Sequence, residues 1–254
     1  MSLLAIEALS VRTTAGAVLL DGVDLAVERD ELVVVAGRSG SGKTTLTKAI
    51  GGLLASRPNI ETSGTVRAPE NVGFLFQNPR TQLVRRSVRH DVAFALENQG
   101  VPRPEMERRI EDWADRLDAT HFLDHEADEL SRGETAVVAL LGALVTEPDL
   151  VVLDEPLAPL DYRNRGLVLD AIETLREDGS TLLVTEHDLR DVLPLADRVL
   201  VLDDGRVTSG GSPRRQLAHL ADLGITLPFA TRVGLERGEP ADALPLSTVP
   251  EGDR

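Results

Sequence analysis

One octapeptide constrains this chain more than any other segment. Gly37-Arg38-Ser39-Gly40-Ser41-Gly42-Lys43-Thr44 fits the pattern G-x-x-x-x-G-K-[ST] at every fixed position. It follows the continuous apolar run Leu32–Ala36, which suits a strand buried on both faces of a parallel sheet. It opens residues 43–54, whose apolar positions recur at helical period. Between a strand and a helix, glycines let backbone N–H groups turn inward around phosphate oxygens. The helix N-terminus adds partial positive charge at the same place. Lys43 has the reach to touch β- and γ-phosphates, and the Thr44 hydroxyl is a hard ligand for Mg²⁺. Lys43 and Lys48 are the only lysines, all other basic residues except histidine being arginine.

The rest of the chain reads as strands alternating with helices. Residues 3–9, Val18–Val27 and 72–76 have strand character. Residues 80–147 look helical, lack strand runs and are punctuated by Pro102 and Pro104. Strands return at 150–153, 181–185 and 198–202, with helix-like stretches at 163–177 and 188–195 between them. This order predicts an α/β fold with a mainly parallel sheet and a helical block inserted over about 80–147. Asp203-Asp204-Gly205-Arg206 is a hairpin-type turn. Residues 238–254 are polar and proline-containing, and fraying is expected there. Aromatic residues make up only 3% of the chain, so the core must be aliphatic.

Charge and composition exclude several classes of function. A formal net charge of −15 makes free nucleic acid a poor partner, because counterion release needs clustered Lys and Arg. The chain has 0 cysteines, which removes disulfides and thiolate catalysis. The start Met1-Ser2-Leu3-Leu4-Ala5-Ile6-Glu7 lacks the basic and apolar regions of a signal peptide. No apolar run reaches the ~18–20 residues of a membrane-spanning helix, so any membrane role is expected to come through a partner.

A second chemical element lies at Leu150-Val151-Val152-Leu153-Asp154-Glu155-Pro156, an apolar strand ending in two acids. A carboxylate at a strand's C-terminal edge can hold the shell of a Mg²⁺ ion, and Asp154 has that place. Glu155 is the candidate to orient or deprotonate an attacking water. Open α/β sheets bind ligands at the carboxyl ends of their strands, so both acids are expected to face the crevice of the phosphate loop.

Four further features narrow the choice among phosphate-loop enzymes. Gln77 follows the strand at 72–76; Leu130-Ser131-Arg132-Gly133-Glu134 precedes a helix and the acidic strand; Ala158-Pro159-Leu160-Asp161 follows that strand; and His187 ends the strand at 181–185. In this order the set resembles the nucleotide-binding domain of an ABC transporter. The resemblance runs over about residues 3–210. It implies a phosphate-loop ABC ATPase fold with a RecA-like core, an N-terminal antiparallel β subdomain and an inserted α-helical subdomain. A nucleotide-binding domain over residues 1–210 and a partly flexible C-terminal extension over 211–254 are expected. By the same resemblance Gln77 senses Mg²⁺ and water and faces a membrane partner, and Leu130 to Glu134 form the signature motif. Asp161 belongs to the D-loop, and His187 contacts the γ-phosphate and the attacking water. The implied reaction is Mg²⁺-dependent hydrolysis of ATP to ADP and phosphate. Lys43 and the amides of residues 40–45, Thr45 included, hold the phosphates with Gly37, Arg38 and Ser39. Thr44, Gln77 and Asp154 organise Mg²⁺, and Glu155 acts as general base. ABC domains work as head-to-tail dimers, which places Ser131 and Gly133 against the nucleotide of a second ATPase, identical or different.

Phe76-Gln77-Asn78-Pro79, Gln82-Leu83 and the run Asp91-Val92-Ala93-Phe94-Ala95-Leu96-Glu97-Asn98 resemble, within that family, the ATPases of energy-coupling factor (ECF) importers. Leu223-Gly224-Ile225-Thr226-Leu227-Pro228 is similar to their C-terminal region, which helps pair the ATPases. This likeness implies a transmembrane coupling subunit, a substrate-binding membrane protein for vitamins or transition-metal ions, and a peripheral location on the cytoplasmic face of the membrane. Two other readings stand beside it: a soluble ABC ATPase of the iron–sulfur assembly type, and a nucleotide-gated subunit with a weakly hydrolytic site. The sequence departs from the family pattern at Arg132 and Glu134 of the signature, and at Val11-Arg12-Thr13-Thr14, where an adenine-stacking aromatic is usual. Weaker or less base-selective nucleotide binding is expected from the second departure. Arg80, Arg85, Arg86, Arg89 and His90 form a basic stretch that reads either as a charge match to a membrane partner or lipid, or as a solvated face paired with nearby acids.

Overall fold

The computed structural model describes residues 2–158 and 160–247, apart from the side chains at 162 and 163. The chain divides into two compact units. One runs from the N-terminus to Ala68 and resumes at Leu183; the other covers Pro69–Leu182.

The first unit begins with an antiparallel sheet. β1 (Leu4–Thr13) lies between β2 (Val18–Val27) and β4 (Ile60–Arg67). Leu4 pairs with Val27 and Val11 with Leu20, so the alternating apolar residues of both strands fall on one buried face. A register shift separates Glu7 from Ser10 against β4. There Ala8 takes a φ of 48°, and Gly64 a φ of 91°. A Cβ on Gly64 would stand 2.5 Å from the Ala8 carbonyl oxygen, so only glycine fits opposite this bulge. β4 was not expected from the sequence. Its residues Ile-Glu-Thr-Ser-Gly-Thr-Val-Arg are polar and mostly exposed, and an edge strand of that kind owes its pairing to β1 rather than to its own pattern.

The same unit holds β3 (Leu32–Ala36), all but the first residue of β7 (Leu182–Glu186), β8 (Arg198–Asp203) and β9 (Arg206–Gly211), in the order β7-β3-β8-β9. β3 and β8 are parallel, with Val33 opposite Arg198 and Ala36 opposite Val201. Every residue of β3 and of β7 is buried, as a strand covered on both faces requires. β8 returns as β9 through Asp204 (φ 45°) and Gly205 (φ 77°), a two-residue turn with both centres left-handed, as the sequence predicted. α1 (Lys43–Ile50) is shorter than its periodicity implied, because Gly51 and Gly52 end it. Residues 188–195 hold only one tight helical turn, Leu193–Leu195. The Leu189 N–H is donated instead to the Thr226 carbonyl (2.8 Å), and Pro194, which has no N–H to give, bars a longer regular helix.

Beyond β9 the unit adds α6 (Pro213–Asp222) and α7 (Phe229–Glu236). The segment after α7, expected to fray, is anchored as far as it is described. Leu244 is buried, and the Arg214 guanidinium donates to the carbonyls of Ala241 and Leu244. Residues 248–254, on which the same expectation falls, lie outside the described residues.

In the second unit β5 (Val72–Leu75) and β6 (Leu150–Asp154) are parallel, Val72 opposite Leu150 and Leu75 opposite Leu153. Between them in sequence come α2 (Val88–Asn98), α3 (Arg103–Arg116) and α4 (Arg132–Leu144), and after them α5 (Tyr162–Glu177). α4 is the centre of this unit, its residues Ala136 to Leu141 all buried. α2 turns Val88, Val92 and Leu96 inward at helical spacing, and α3 turns Ile110 and Ala114.

Candidate functional site

The phosphate loop occupies the turn from β3 into α1. A Cβ on Gly37 would meet the Leu202 carbonyl oxygen at 2.3 Å and Ser41 Oγ at 2.4 Å, so backbone and loop close on each other with no room for a side chain. Gly40 and Gly42 take φ values of 83° and 109°, a region that L side chains rarely enter. Gly42 stands at the helix N-cap and contributes no side-chain cap, which leaves the first-turn N–H groups of α1 available to a ligand. Lys43 is 3% exposed, and its Nζ donates to the carbonyls of Gly37 (2.7 Å) and Arg38 (3.0 Å). The ammonium is thus held at the mouth of the loop. Ser41 Oγ is buried with no hydrogen-bond partner among the described residues, a polar atom that a phosphate oxygen would satisfy. Arg38, Ser39 and Gly40 face solvent, and Thr44 and Thr45 are half-buried at the start of the helix.

Two supports of this loop carry no motif in the sequence. The Gly205 N–H donates to the Ser41 carbonyl (3.0 Å), and the Gly205 carbonyl accepts from the Asp21 N–H (2.9 Å). The β8–β9 hairpin turn therefore braces the loop against β2. The Gly37 N–H donates to the Glu186 carbonyl (3.2 Å), which ties the loop to the end of β7, one residue before His187. His187 is partly exposed, its Nδ1 3.9 Å from Oε2 of the fully buried Glu186. The Thr226 N–H approaches the His187 carbonyl (3.4 Å), and Asp188 forms an isolated bridge with Thr226. Ile225 and Leu227 flank that contact and are buried, so the segment resembling the ECF C-terminal region clasps the histidine loop by its backbone.

In the second unit β6 delivers two acids. Asp154 is 1% exposed at the strand end, and Glu155 comes next at 9% with a φ of 50°. A positive φ on a glutamate is strained and turns the chain sharply out of the strand. Gln77 Nε2 donates to Glu155 Oε2 (3.0 Å), so the structure joins two residues that lie 78 apart in sequence. Gln82 fixes the approach of Gln77: its Oε1 accepts from the Phe76 N–H (2.7 Å) and its Nε2 donates to the Phe74 carbonyl (2.9 Å). The sequence marks Gln82 only as part of a family likeness; its role as a clamp is invisible without the fold.

Ser131 is the N-cap of α4, in a reciprocal capping box. Its Oγ accepts from the Glu134 N–H (3.3 Å), and Glu134 Oε2 accepts from the Ser131 N–H (2.7 Å). The unusual Glu134 is therefore a functional cap. Asp161 caps α5, and its Oδ1 accepts from the N–H (2.9 Å) and Nδ2 (3.0 Å) of Asn164. Ser131 Oγ donates to Asn164 Oδ1 (3.0 Å), and a Cβ on Gly133 would stand 2.7 Å from Asn164 Cβ. Ser131, Glu134, Asp161 and Asn164 line one cleft of about 540 Å³. Gln77, Pro79, Arg80, Leu130, Arg132 and Thr135 are among those lining a different one of about 530 Å³. Signature serine and Gln77 thus open onto separate surfaces.

The four arginines of the basic stretch have partners. Arg85 contacts Glu97 (3.6 Å) and lies over the Phe94 ring (5.0 Å), Arg86 meets Glu126 (2.7 Å), Arg89 meets Glu111 (2.6 Å), and Arg80 donates to the Ala127 carbonyl. The Arg86 guanidinium pKa is raised, first by its hydrogen bond to Glu126. Of the two readings of this stretch, these contacts match the solvated, acid-paired face. No helix among the described residues is long and apolar enough to cross a membrane.

Comparison with known proteins gives one consistent result. Residues 20–158 match the family model described as ABC transporter. An energy-coupling factor transporter ATP-binding protein of Bacillus subtilis is 39% identical over 224 residues, covering 83% of this chain and 79% of the relative. One of Latilactobacillus sakei is 36% identical over 233 residues, covering 86% and 82%. The solved structure of cbiO1 from Clostridium perfringens, described as part of the ABC transporter complex cbiONQ, aligns with a TM-score of 0.77 at 28% identity, covering 93% of this chain and 99% of that one. Phosphate loop, paired acids and signature therefore stand on a matching fold, and the chain belongs to the ABC transporter family as one of its ATP-binding proteins.

Proposed function

We propose that this chain is the ATP-hydrolysing subunit that drives an ECF-type membrane importer. The observation that carries the reading is the phosphate loop: a buried strand, left-handed glycines, an inward Lys43 Nζ, a buried Ser41 hydroxyl suited to a phosphate oxygen, and an uncapped helix N-terminus. Lys43 and the amides of residues 40–45 bind the phosphates. Thr44, Gln77 and Asp154 supply the hard oxygen donors that suit Mg²⁺. That ion, when bound, neutralises charge on the transferred phosphoryl oxygens. Glu155 orients the attacking water and takes its proton, with Gln77 holding one carboxylate oxygen in place. His187 donates toward the γ-phosphate and the water. Phosphoryl transfer is mostly positioning and charge stabilisation, so each of these groups contributes.

The transport role is supported by the ECF names of the relatives and by the cleft at Gln77. A transmembrane coupling subunit docks at that cleft, where the half-buried Leu130 offers apolar surface beside the exposed Arg80. A substrate-binding membrane protein and a second ATPase, identical or different, complete the complex on the cytoplasmic face of the membrane. A nucleotide-binding domain over residues 1–210, with 211–254 as a C-terminal extension, remains our division of the chain.

Purification of the tagged chain in gentle detergent tests the partners. Co-purifying membrane subunits support the importer, and soluble partners alone from an intact complex refute it. In that complex Glu155→Gln is expected to bind ATP yet turn over about 10²- to 10⁴-fold more slowly, the usual contribution of a general base. Undiminished hydrolysis would remove Glu155 from that role.

A further inference from the structure

The Ser131 hydroxyl is bonded in a way that bears on when it can meet a nucleotide. A serine hydroxyl has one proton to give. Here that proton goes to Asn164 Oδ1, at 3.0 Å. The oxygen itself is placed by a separate bond, the one it accepts from the Glu134 N–H in the capping box. Asn164 is in turn fixed by Asp161, which accepts from both its N–H and its Nδ2. Gly133 packs against the same side chain so closely that no Cβ would fit between them. A chain of hydrogen bonds thus runs from the cap of α4 through Ser131 and Asn164 to the cap of α5, within one unit.

We infer that Asn164 is a latch: it holds the hydroxyl proton of Ser131 away from the nucleotide, and the proton must leave Asn164 before Ser131 can donate to a phosphate. The inference rests on the reading that Ser131 contacts the ATP bound by a second ATPase. Placement of Ser131 Oγ does not need Asn164, because the capping box already sets it; what Asn164 adds is competition for the proton. When a phosphate oxygen takes the proton, Asn164 Oδ1 loses its donor and Asp161 is the next group to feel the change. Asn164 is accordingly a positioning residue, linking signature engagement to the D-loop aspartate of the same subunit. Nothing in the sequence pattern marked it.

The latch makes a prediction of unusual sign. In the intact complex, Asn164→Ala is expected to lower the ATP concentration for half-maximal hydrolysis by about two- to tenfold, the range set by one net hydrogen bond. Damage to packing would not produce a gain. In a Ser131→Ala background the same change should have no effect on that concentration, since no hydroxyl remains to be released. Asn164→Leu, which keeps the branched shape and removes the acceptor, should behave like the alanine variant and covers the case in which alanine unfolds the region. A rise in the half-maximal concentration, an unchanged value, or an equal effect with and without the Ser131 hydroxyl overturns the latch. Two controls separate its failure from failure of the underlying reading. If the unaltered complex and its Glu155→Gln variant alike hydrolyse no ATP, the ATPase assignment falls. If Ser131→Ala leaves the ATP dependence unchanged, the nucleotide contact of Ser131 falls and the latch with it. If both controls respond and Asn164→Ala does not, only the latch is lost.

Discussion

At the scale of single residues the site depends on positions where nothing else fits. Gly37 is the sharpest case, since a methyl group there would meet backbone on one side and Ser41 on the other. Gly37→Ala is expected to abolish ATP binding while costing about 1–3 kcal/mol of stability through overpacking, measurable by nucleotide titration and thermal unfolding; normal binding would show that the loop opens more easily than its contacts suggest. Glu155 shows the opposite case, a residue tolerated in a left-handed conformation because its carboxylate is needed where β6 ends. Surface charge gives a pH-dependent test. The Glu105 carboxyl pKa is lowered from 4.5 to about 2, first by the hydrogen bond from Arg108 and then by that from Arg109. Its folded pKa is depressed, so the associated stabilisation is present above pH 4.5 and is lost as pH falls through about 2. The carboxylate is half-buried and reached by solvent, so the effect on stability is small, and the direct check is its titration followed by NMR: a midpoint near 4.5 would mean the two arginines do not hold it in solution.

At the scale of elements, helix ends and strand ends carry the chemistry, and they are treated in two ways. α1 begins uncapped at Gly42, which keeps its N–H groups for phosphate. α4 begins with a full capping box, so Ser131 and Glu134 satisfy each other. Glu134→Ala removes half of that box and is expected to cost about 0.5–2 kcal/mol. Glu134→Gln keeps the reach and an acceptor oxygen and should cost much less. Thermal unfolding of the two variants decides the point, and equal losses would mean that the charge, not the cap, is what matters. The elements read from the sequence were those with strong internal patterns: Val18–Val27, Leu32–Ala36 and the acidic strand were legible because burial on both faces or alternation leaves a clear record. β4 and the loop at 188–195 were not, since β4 is polar and paired by β1, and Leu189 gives its N–H to Thr226, 37 residues on. No local pattern records either partner.

At the scale of the whole molecule, one unit holds the phosphate loop and His187, and the other holds Gln77, the acids and the signature serine. The acidic chain keeps its arginines between 80 and 89 matched to partners within that second unit. Reversing Arg85 and Arg86 to glutamate together is therefore expected to leave assembly with the membrane subunits unchanged, judged by the yield of co-purifying subunits; loss of those subunits from a still-folded chain would show that the arginines face the partner. What the sequence determined by itself was the chemistry: a glycine-rich loop between strand and helix, two acids at a strand end, and the ordered set that resembles ABC ATPases. Those features are local, so spacing along the chain is enough to reveal them. What only the tertiary structure decided was which side chains meet: Gln77 with Glu155, Gly205 with the phosphate loop, Thr226 with the histidine loop, and Asn164 with Ser131. These pairs are separated by 33 to 164 residues or so, and a hydrogen bond across such a distance is set by how the intervening chain packs, which leaves no mark in the spacing of either partner.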